Sequence, residues 1–271
     1  MRLALDHLTA VDTLPTDLAD IAAATGCGGI CLFLQSMSVL PRMPPFDLVT
    51  DTAARRALRA RCRDLGLTVD LAYPFTLGAR SASGDFQPAL EAAAELGATT
   101  VNALVYDRDP VRRLDTFAGF CERAGAVGLK VSVEFYPPSQ VKTLQEASAL
   151  IEAATRPGTA GITLDLLHLV RSGGSITDIN SVPPDRIFIA QICDGPAMAD
   201  PERLVTEAAE QRMLPGDGAF DVSGFLRALP STARLSVEVP QEDRLRQGLT
   251  PLDRASAAVA ATRAVVEGTG R

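Results

Sequence analysis

Four short apolar runs in the second half of the chain each end on a side chain that could bind a metal ion. The runs are KVSVEFYP, GITLDLLH, IFIAQICD and RLSVEVP, and they carry Glu134, Asp165, Gln191 and Glu238. Side chains alternate between the two faces of a strand, so the flanking Val, Ile and Leu residues should pack on the opposite face. Three carboxylates in a partly apolar site repel one another unless a cation neutralises them. Three carboxylates and an amide oxygen form an all-oxygen ligand set, which favours Mn²⁺ or Mg²⁺ over zinc.

Each of these acids also has a structural interpretation when it is taken alone. A carboxylate at a strand end can accept hydrogen bonds from the start of a helix, or it can pair with an arginine. The recurrence of such residues at matching positions on four consecutive runs favours a shared site. The elements that carry the four runs must then bring their ends together.

Eight β-type runs recur along the chain, and Ala-, Leu-, Arg- and Glu-rich stretches with helical periodicity separate them. The predicted strands are Leu3–Asp6, Gly29–Phe33, Thr68–Tyr73, Thr100–Leu104, Lys130–Phe135, Gly161–Leu166, Ile187–Asp194 and Arg234–Val239. The predicted helices include Asp51–Leu65, Phe86–Leu96, Pro110–Val127 and Thr143–Thr155. Several helices end at a glycine just before the next strand, which is typical of a helix C-cap. Strands that alternate with helices indicate a parallel sheet, and eight such units can close into a barrel.

We therefore predict an α/β fold, a single (β/α)₈ TIM barrel that spans residues 1–271 as one domain. An open doubly wound sheet is the structural alternative, but no GxGxxG motif follows the first strand and eight strands fit closure better. No Pro/Ser/Gly-rich linker divides the chain. Catalytic groups of such a barrel lie at the C-terminal ends of its strands, where the four polar residues are expected.

Composition narrows the classes of partner. The chain has 271 residues, of which 46% are hydrophobic, and 26 Lys+Arg against 33 Asp+Glu give a net charge of −7. An acidic surface repels phosphate groups, so we expect no nucleic-acid and no membrane partner. We also expect no signal peptide, because MRLALDHLTA lacks a long apolar run, and no membrane span. Five cysteines without a CxxC pair indicate buried thiols in a reducing cytosol, so a cytoplasmic location is predicted.

The segments VEFYP, TLDLLHLVRSGG, QICDGP, LPGDGAFD and LSVEVP, in this order, resemble the xylose isomerase-like TIM-barrel superfamily of sugar isomerases and epimerases. Ketose 3-epimerases, inosose dehydratases and dehydroshikimate dehydratases belong to the same superfamily. The resemblance covers about residues 130–240. It implies one divalent metal ion held by Glu, Asp, His and Glu from strands 5 to 8. Glu134, Asp165 and Glu238 match this pattern, whereas Gln191 stands at the histidine position.

The resemblance also implies roles for these ligands. In ketose epimerases the two glutamates transfer protons on opposite faces of the substrate, and here they would be Glu134 and Glu238. The metal ion would bind neighbouring carbonyl and hydroxyl oxygens of the substrate and stabilise an enediolate. The amide oxygen of Gln191 can still bind a hard cation, so Mn²⁺ or Mg²⁺ is expected, with Co²⁺ or Zn²⁺ as alternatives. The glutamine could also weaken metal binding.

Four further residues are expected to bind substrate. His168 lies three residues after Asp165, as in the family's D-x-x-H, and Arg212 resembles the arginine that reaches the substrate oxygens. His7 and Tyr73, at the ends of strands 1 and 3, could line the pocket. Each has a structural alternative, which is a helix cap for His168, a surface salt bridge for Arg212, and core or rim packing for the other two.

Four other features receive mainly structural interpretations. Phe33 could supply an apolar wall of the pocket. Asn102, in the middle of strand 4, is expected to have a hydrogen-bonded structural role. We expect Asp194 to lie at the rim of the pocket, with a role as a fifth metal ligand as the less favoured alternative. Pro215–Asp221 is expected to shape the rim beside strand 7.

The resulting hypothesis is a divalent-metal-dependent sugar isomerase or epimerase that abstracts a proton next to the carbonyl of a polyhydroxylated ketone or aldehyde. A dehydratase of the inosose or dehydroshikimate type is the alternative, because it begins with the same proton abstraction. A non-catalytic carbohydrate-binding barrel is the third interpretation, since the strand-7 histidine is missing. An AP-endonuclease-like nuclease is disfavoured by two histidines in total and by the negative charge. The expected partner is an unphosphorylated carbohydrate or related hydroxyketone, and a homo-oligomer is compatible with the sequence.

Overall fold

The computed structural model describes residues 2–155 and 158–270. Eight parallel strands form a closed barrel in which each strand pairs with the next one along the chain and the last pairs with the first. The strands are β1 (Leu3–Asp6), β2 (Gly29–Phe33), β3 (Thr68–Leu77), β4 (Thr100–Val105), β5 (Lys130–Glu134), β6 (Ala160–Asp165), β7 (Ile187–Ile192) and β8 (Arg234–Val237). The predicted (β/α)₈ barrel is confirmed.

Helices connect the strands and cover the outside of the barrel. They are α1 (Pro15–Ala24), α2 (Thr52–Asp64), α3 (Gln87–Leu96), α4 (Pro110–Ala126), α5 (Leu144–Ala154), α6 (Leu166–Arg171), α7 (Leu204–Ala209), α8 (Val222–Ala228), α9 (Glu242–Arg246) and α10 (Pro251–Gly268). The helices predicted with bounds are correct to within one residue at each end. Some predicted bounds include a residue that flanks the helix and caps it, such as Asp51, whose carboxylate accepts a hydrogen bond from the backbone N–H of Ala54. Gly97 follows the last residue of α3 with a φ of 82°, as predicted for a helix C-cap.

Three predicted strand ends differ from the structure by two or more residues, and the bounds of the fourth, fifth and sixth strands differ by one residue. The third strand continues to Leu77 past Pro74, because a register shift between Ala72 and Phe75 accommodates the proline. The seventh and eighth strands each end two residues earlier than predicted. Beyond β7 the chain leaves the barrel, and Asp194 forms an antiparallel bridge with Met213.

The core between barrel and helices includes a cluster of aromatic rings. Phe120 of α4 is fully buried, and its ring centroid lies 5.2 Å from that of Phe75 and 5.3 Å from that of Phe86. Such contacts bury large apolar areas, and tilted or edge-on ring pairs add a further favourable term. This cluster anchors α4 against β3.

The N-terminal end of the barrel is closed by an ion cluster. Asp70 is buried, and its carboxylate oxygens lie 2.7 Å from Arg2 Nη2 and 2.9 Å from Arg234 Nη1. Both arginines are partly exposed, so they cover the carboxylate while remaining hydrated. This end of the barrel is thereby filled, and the opposite end holds the open cavity described below.

Other expectations from the sequence concern thiols and membranes. All five cysteines lie within the described part of the chain, where each is buried and free. Within residues 2–155 and 158–270, no helix combines the length and the apolar character that crossing a membrane requires.

The aromatic cluster gives a stability prediction. Phe120→Ala should lower the free energy of unfolding by about 3–5 kcal/mol, because it removes a fully buried ring and leaves a cavity. Val111→Ala, on the same helix at a position that is 68% exposed, is the matched control and should change it by less than about 0.5 kcal/mol. Urea unfolding of the three proteins measures both values, and equal midpoints would contradict the assigned packing.

Candidate active site

The four polar residues of the strand ends lie at the C-terminal end of the barrel. Glu134 and Asp165 are the last residues of β5 and β6, Gln191 lies one residue before the end of β7, and Glu238 directly follows β8. Asp165 and Gln191 are paired neighbours in the sheet register. All four side chains are buried, with at most 8% of each residue exposed.

A cavity of about 580 Å³ opens at this end of the barrel. Most of its wall is apolar or aromatic. Its polar lining includes Tyr73, Asn102, Glu134, His168, Gln191, Arg212 and Glu238. The fully buried Asp165 lies behind this lining, against Arg212.

Glu134, Asp165 and His168 form a compact group of possible metal ligands. Each offers one ligand atom, and these atoms all lie within 4.8 Å of one another. His168 Nε2 is 3.3 Å from Glu134 Oε1 and 3.8 Å from Asp165 Oδ2. The structure thus adds to the site a nitrogen that the sequence analysis assigned to substrate.

Asp165 serves a helix and the site at the same time. Its Oδ1 accepts hydrogen bonds from the backbone N–H groups of Leu167 and His168, at 2.6 and 3.2 Å, and so caps the N-terminus of α6. Its Oδ2 points to Arg212 and His168 instead. Asp165 therefore has the helix-capping role of the structural interpretation, and its role as a metal ligand stays a prediction.

Arg212 is a buried bridge between two acids and not a surface residue. Its Nη1 lies 2.8 Å from Asp165 Oδ2 and 3.1 Å from Glu238 Oε2, while its Nε donates to the carbonyl oxygen of Ala208. Only 3% of the residue is exposed. A guanidinium held in this way is oriented by the protein before any ligand arrives.

The electrostatics of this end of the barrel are dominated by crowded carboxylates. Burial raises the pKa of Glu238 well above its usual range, and the negative charges of nearby acids add to this effect while Arg212 opposes it. Burial likewise raises the pKa of Asp6 to about 7. Burial also works against ionisation of Asp165, but the charges of Arg212 and His168 outweigh it and hold the pKa of Asp165 below its usual range. Four acids (Glu134 is the fourth) therefore share one arginine, so ionisation of all four would leave an excess of negative charge.

The surroundings of the Gln191 side chain indicate whether this site could hold a metal ion. Its Oε1 is buried and has no hydrogen-bond partner among the described residues. A buried acceptor without a donor is unfavourable, and a cation would satisfy it. Together with the excess negative charge and the Glu134–Asp165–His168 group, this atom makes the site suitable for a divalent cation.

The residues predicted from the first half of the chain occupy different places. Tyr73 and Phe33 line the cavity, and the Tyr73 hydroxyl donates a hydrogen bond to buried Asp6. His7 is buried beside the cavity and is not one of its described lining residues. Its Nε2 lies 3.1 Å from the carbonyl oxygen of Thr13, and its ring stacks on Phe46 with centroids 5.7 Å apart. A substrate-binding role for His7 stays a prediction.

Several lining residues were not singled out from the sequence. They are Leu8, Met37, Val39, Leu40, Pro74, Thr76, Leu104, Tyr106, Tyr136, Pro138, Val205, Ala208 and Ala209. Tyr136 contacts the His168 ring, with centroids 4.8 Å apart. Its position two residues after Glu134, in VEFYP, was the available signal, because residues just beyond a strand end surround the mouth of such a barrel.

Asp194 organises the rim beside β7. Its two carboxylate oxygens accept hydrogen bonds from the backbone N–H groups of Gly195, Gly216, Gly218 and Phe220. A Cβ at Gly218 would approach Asp194 Oδ1 to 2.3 Å, so the loop needs glycine there. This geometry agrees with the predicted rim role of Asp194 and of Pro215–Asp221.

A protein-family model described as "Xylose isomerase-like TIM barrel" matches residues 19–263. The chain belongs to this family. Relatives of this xylose isomerase-like barrel include a 3-dehydroshikimate dehydratase of Pseudomonas putida, which is 28% identical over 257 residues. That alignment covers 88% of the chain and 38% of the relative, so the barrel spans about two-fifths of the dehydratase's length.

Two other matches to this xylose isomerase-like barrel are a curated enzyme and a solved structure. An inosose isomerase of Bacillus subtilis is 29% identical over 118 residues, which covers 43% of the chain and 41% of the relative. A crystal structure described as IOLI protein with a binding zinc atom superposes with a TM-score of 0.80 at 22% identity, covering 99% of both chains. The structural match shows the shared fold, and the named relatives are enzymes.

The burial of His7 generates a pH prediction. Burial lowers the pKa of His7 to about 4, from an ordinary value of 6.5, although its bond to the Thr13 carbonyl opposes the shift. Between these pH values His7 binds a proton in the unfolded chain but not in the folded chain. The free energy of unfolding therefore decreases as the pH falls from about 6.5 to about 4. Replacement by glutamine keeps a donor for Thr13 and removes the titration.

Urea unfolding at several pH values across that interval measures the effect. As the pH falls, the free energy of unfolding should decrease more in wild type than in His7→Gln. The raised pKa of Asp6 has the opposite effect on stability, but it is present in both proteins and cancels in their difference. Parallel curves for the two proteins would contradict the assignment.

The unpartnered oxygen of Gln191 generates a metal prediction. Gln191→His replaces a hard oxygen by an imidazole nitrogen, so the affinity for Zn²⁺ or Co²⁺ relative to Mn²⁺ should rise by about tenfold or more. Competition calorimetry on metal-free protein measures this ratio. Gln145→His, at an exposed position of α5, is the matched control and should leave it unchanged. An unchanged ratio in Gln191→His would mean that Gln191 does not contact the metal ion.

Proposed function

We propose that this protein is a metal-dependent dehydratase that removes a proton next to the carbonyl of a cyclic hydroxyketone and eliminates water. The observation that carries the proposal is that two carboxylates, Glu134 and Glu238, line one cavity beside a group of possible metal ligands. The match to a 3-dehydroshikimate dehydratase over 88% of the chain supports this reaction class. The barrel's own activity and substrate are part of the proposal.

The residues that line the cavity would have different roles in this reaction. Glu134 accepts the proton from the carbon next to the carbonyl, and the electron pair of that C–H bond forms the new C=C bond. Glu238, which lines the same cavity, donates a proton to the hydroxyl that leaves as water. His168 and Arg212 are placed to donate hydrogen bonds to substrate oxygens. A divalent cation held by Glu134, Asp165, Gln191 and Glu238, with His168 beside them, would polarise the carbonyl when bound.

The shape and charge of the cavity indicate the class of substrate. Phe33, Leu104, Tyr106 and Tyr136 give it broad apolar and aromatic walls, which suit the faces of a carbocyclic ring. Among its described lining residues the side chains that can be cationic are His168 and Arg212, and Arg212 is already paired with two acids. His168 also lies against two acids, so neither side chain is free to pair with a phosphate group, and we infer an unphosphorylated ring ketone.

An isomerase or epimerase is the second candidate, and it was the leading hypothesis from the sequence. The partial match to inosose isomerase supports it, as does the presence of two carboxylates that could transfer protons on either side of a substrate. The longer alignment to the dehydratase supports elimination as the first candidate. Manganese or magnesium as the metal, a cytoplasmic location and a homo-oligomeric state stay predictions.

Mass spectrometry in D₂O separates these candidates. Purified protein with Mn²⁺ is incubated with 3-dehydroshikimate and, separately, with an inosose. A dehydratase yields a product lighter by one water, whereas an isomerase or epimerase yields a product of unchanged formula that gains deuterium. If neither ketone reacts, and if protein prepared without chelators holds no metal and gains no thermal stability from Mn²⁺, a carbohydrate-binding barrel is favoured instead.

The assignment of Glu134 as the base gives a mutational prediction. Glu134→Gln should lower turnover by about 10²–10⁴-fold, because positioned acid–base groups contribute that much. Its melting temperature should change little, since the residue occupies a charge-crowded pocket. Glu122→Gln, on the exposed face of α4, is the matched control and should keep full turnover. Glu134→Gln with more than about a tenth of wild-type activity would mean that another group takes the proton.

A further inference from the structure

Asn102 is a buried polar residue of the cavity that contacts the proposed base, Glu134. It lies in β4, it is 2% exposed, and it lines the cavity. Its side-chain nitrogen Nδ2 donates a hydrogen bond to Glu134 Oε2, across to the neighbouring strand β5. This bond joins the interior of the barrel to the group assigned as the base.

Two hydroxyls determine which end of the Asn102 amide faces Glu134. Oδ1 of Asn102 lies 2.8 Å from Thr163 Oγ1 and 3.2 Å from Ser132 Oγ, and these two hydroxyl oxygens are 2.7 Å apart. The hydroxyls belong to β5 and β6, so three consecutive strands contribute to the arrangement. A reversed amide would set Oδ1 against the Glu134 carboxylate, and two acceptors would then face each other.

The bond from Asn102 leaves the two oxygens of Glu134 with different surroundings. Oε2 is occupied by the amide of Asn102, whereas Oε1 lies 3.3 Å from His168 Nε2. The carboxylate therefore has one oxygen tied to the barrel interior and one presented to the reacting end of the cavity. Arg212 contacts Oε2 of Glu238 in the same way and so holds one oxygen of that carboxylate.

We propose that Asn102, oriented by Ser132 and Thr163, is a positioning residue that holds Glu134 so that Oε1 meets the substrate proton. This inference rests on the proposed function, because it takes Glu134 as the base. It assigns a role in the reaction to a residue whose position in the middle of a strand predicted a structural one. A carboxylate with a free side chain would sample several rotamers and spend less time in the reactive one.

The first test is made on Asn102 itself. Asn102→Ala should lower kcat by about 10–100-fold and weaken binding of Mn²⁺ by a similar factor, as is typical when the partner of a ligating carboxylate is removed. KM should change by less than about threefold, because Asn102 binds Glu134 and not the substrate. Asn102→Asp keeps the shape of the side chain, so it tests the donor if the alanine variant does not fold, and it should show the same losses.

Two further variants separate positioning from general damage to the barrel. Ser132→Ala combined with Thr163→Val leaves Asn102 in place but frees its amide to reverse, so its losses should be intermediate. Thr100→Val, on the same strand and the same face one layer deeper, is the matched control and should behave as wild type. Wild-type kcat and Mn²⁺ affinity in both Asn102 variants would overturn the proposal, as would equal losses in Thr100→Val.

Crystal structures provide the readout that needs no substrate. Wild type should show one Glu134 rotamer, and Asn102→Ala should show Glu134 displaced or in several rotamers. If wild type reacts with neither ketone and Glu134 still moves in the variant, the positioning role stands and the proposed function fails. If Glu134 keeps its position in the variant, the positioning role is wrong, whatever the activity.

Discussion

Repulsion among buried carboxylates at one end of the barrel is the constraint on which the candidate site depends. Asp6, Glu134, Asp165 and Glu238 lie there with one buried arginine, Arg212. The protein meets part of this cost with directed donors: Arg212 bridges two of the acids, and a tyrosine and an asparagine each donate to another. The remainder favours protonation or a bound cation, and both outcomes suit chemistry that moves protons.

The two ends of the barrel solve the same electrostatic problem differently. At the N-terminal end one acid, Asp70, meets two arginines that reach water, so its charge is fully compensated and this end of the barrel is filled. At the C-terminal end several acids meet one arginine that is fully enclosed. Only the second arrangement keeps unsatisfied ligand atoms, such as Gln191 Oε1, next to an open cavity. The scaffold thus separates the end that holds the barrel together from the end that can bind ligands.

Local sequence patterns were sufficient to predict the barrel and to place the four polar residues near the C-terminal ends of β5 to β8, although β7 and β8 end two residues earlier than predicted. Side-chain contacts between neighbouring strands could not be predicted in the same way, because the sequence of one strand does not determine its register against the next strand. The bond from Asn102 to Glu134 depends on such a register, and so does the proximity of His168 to two acids. The extension of β3 past Pro74 was missed because proline normally ends a strand unless a bulge accommodates it.

The double use of Asp165 has a consequence for how related sequences should be interpreted. One of its oxygens starts a helix, and the other belongs to the cluster of charges. Selection for folding alone would therefore preserve an aspartate here in a descendant that had lost all catalysis. Retention of this residue in a distant homologue is weak evidence for an active enzyme. Replacement of Gln191 or Glu134, which cap no helix, would be the more informative sign of divergence.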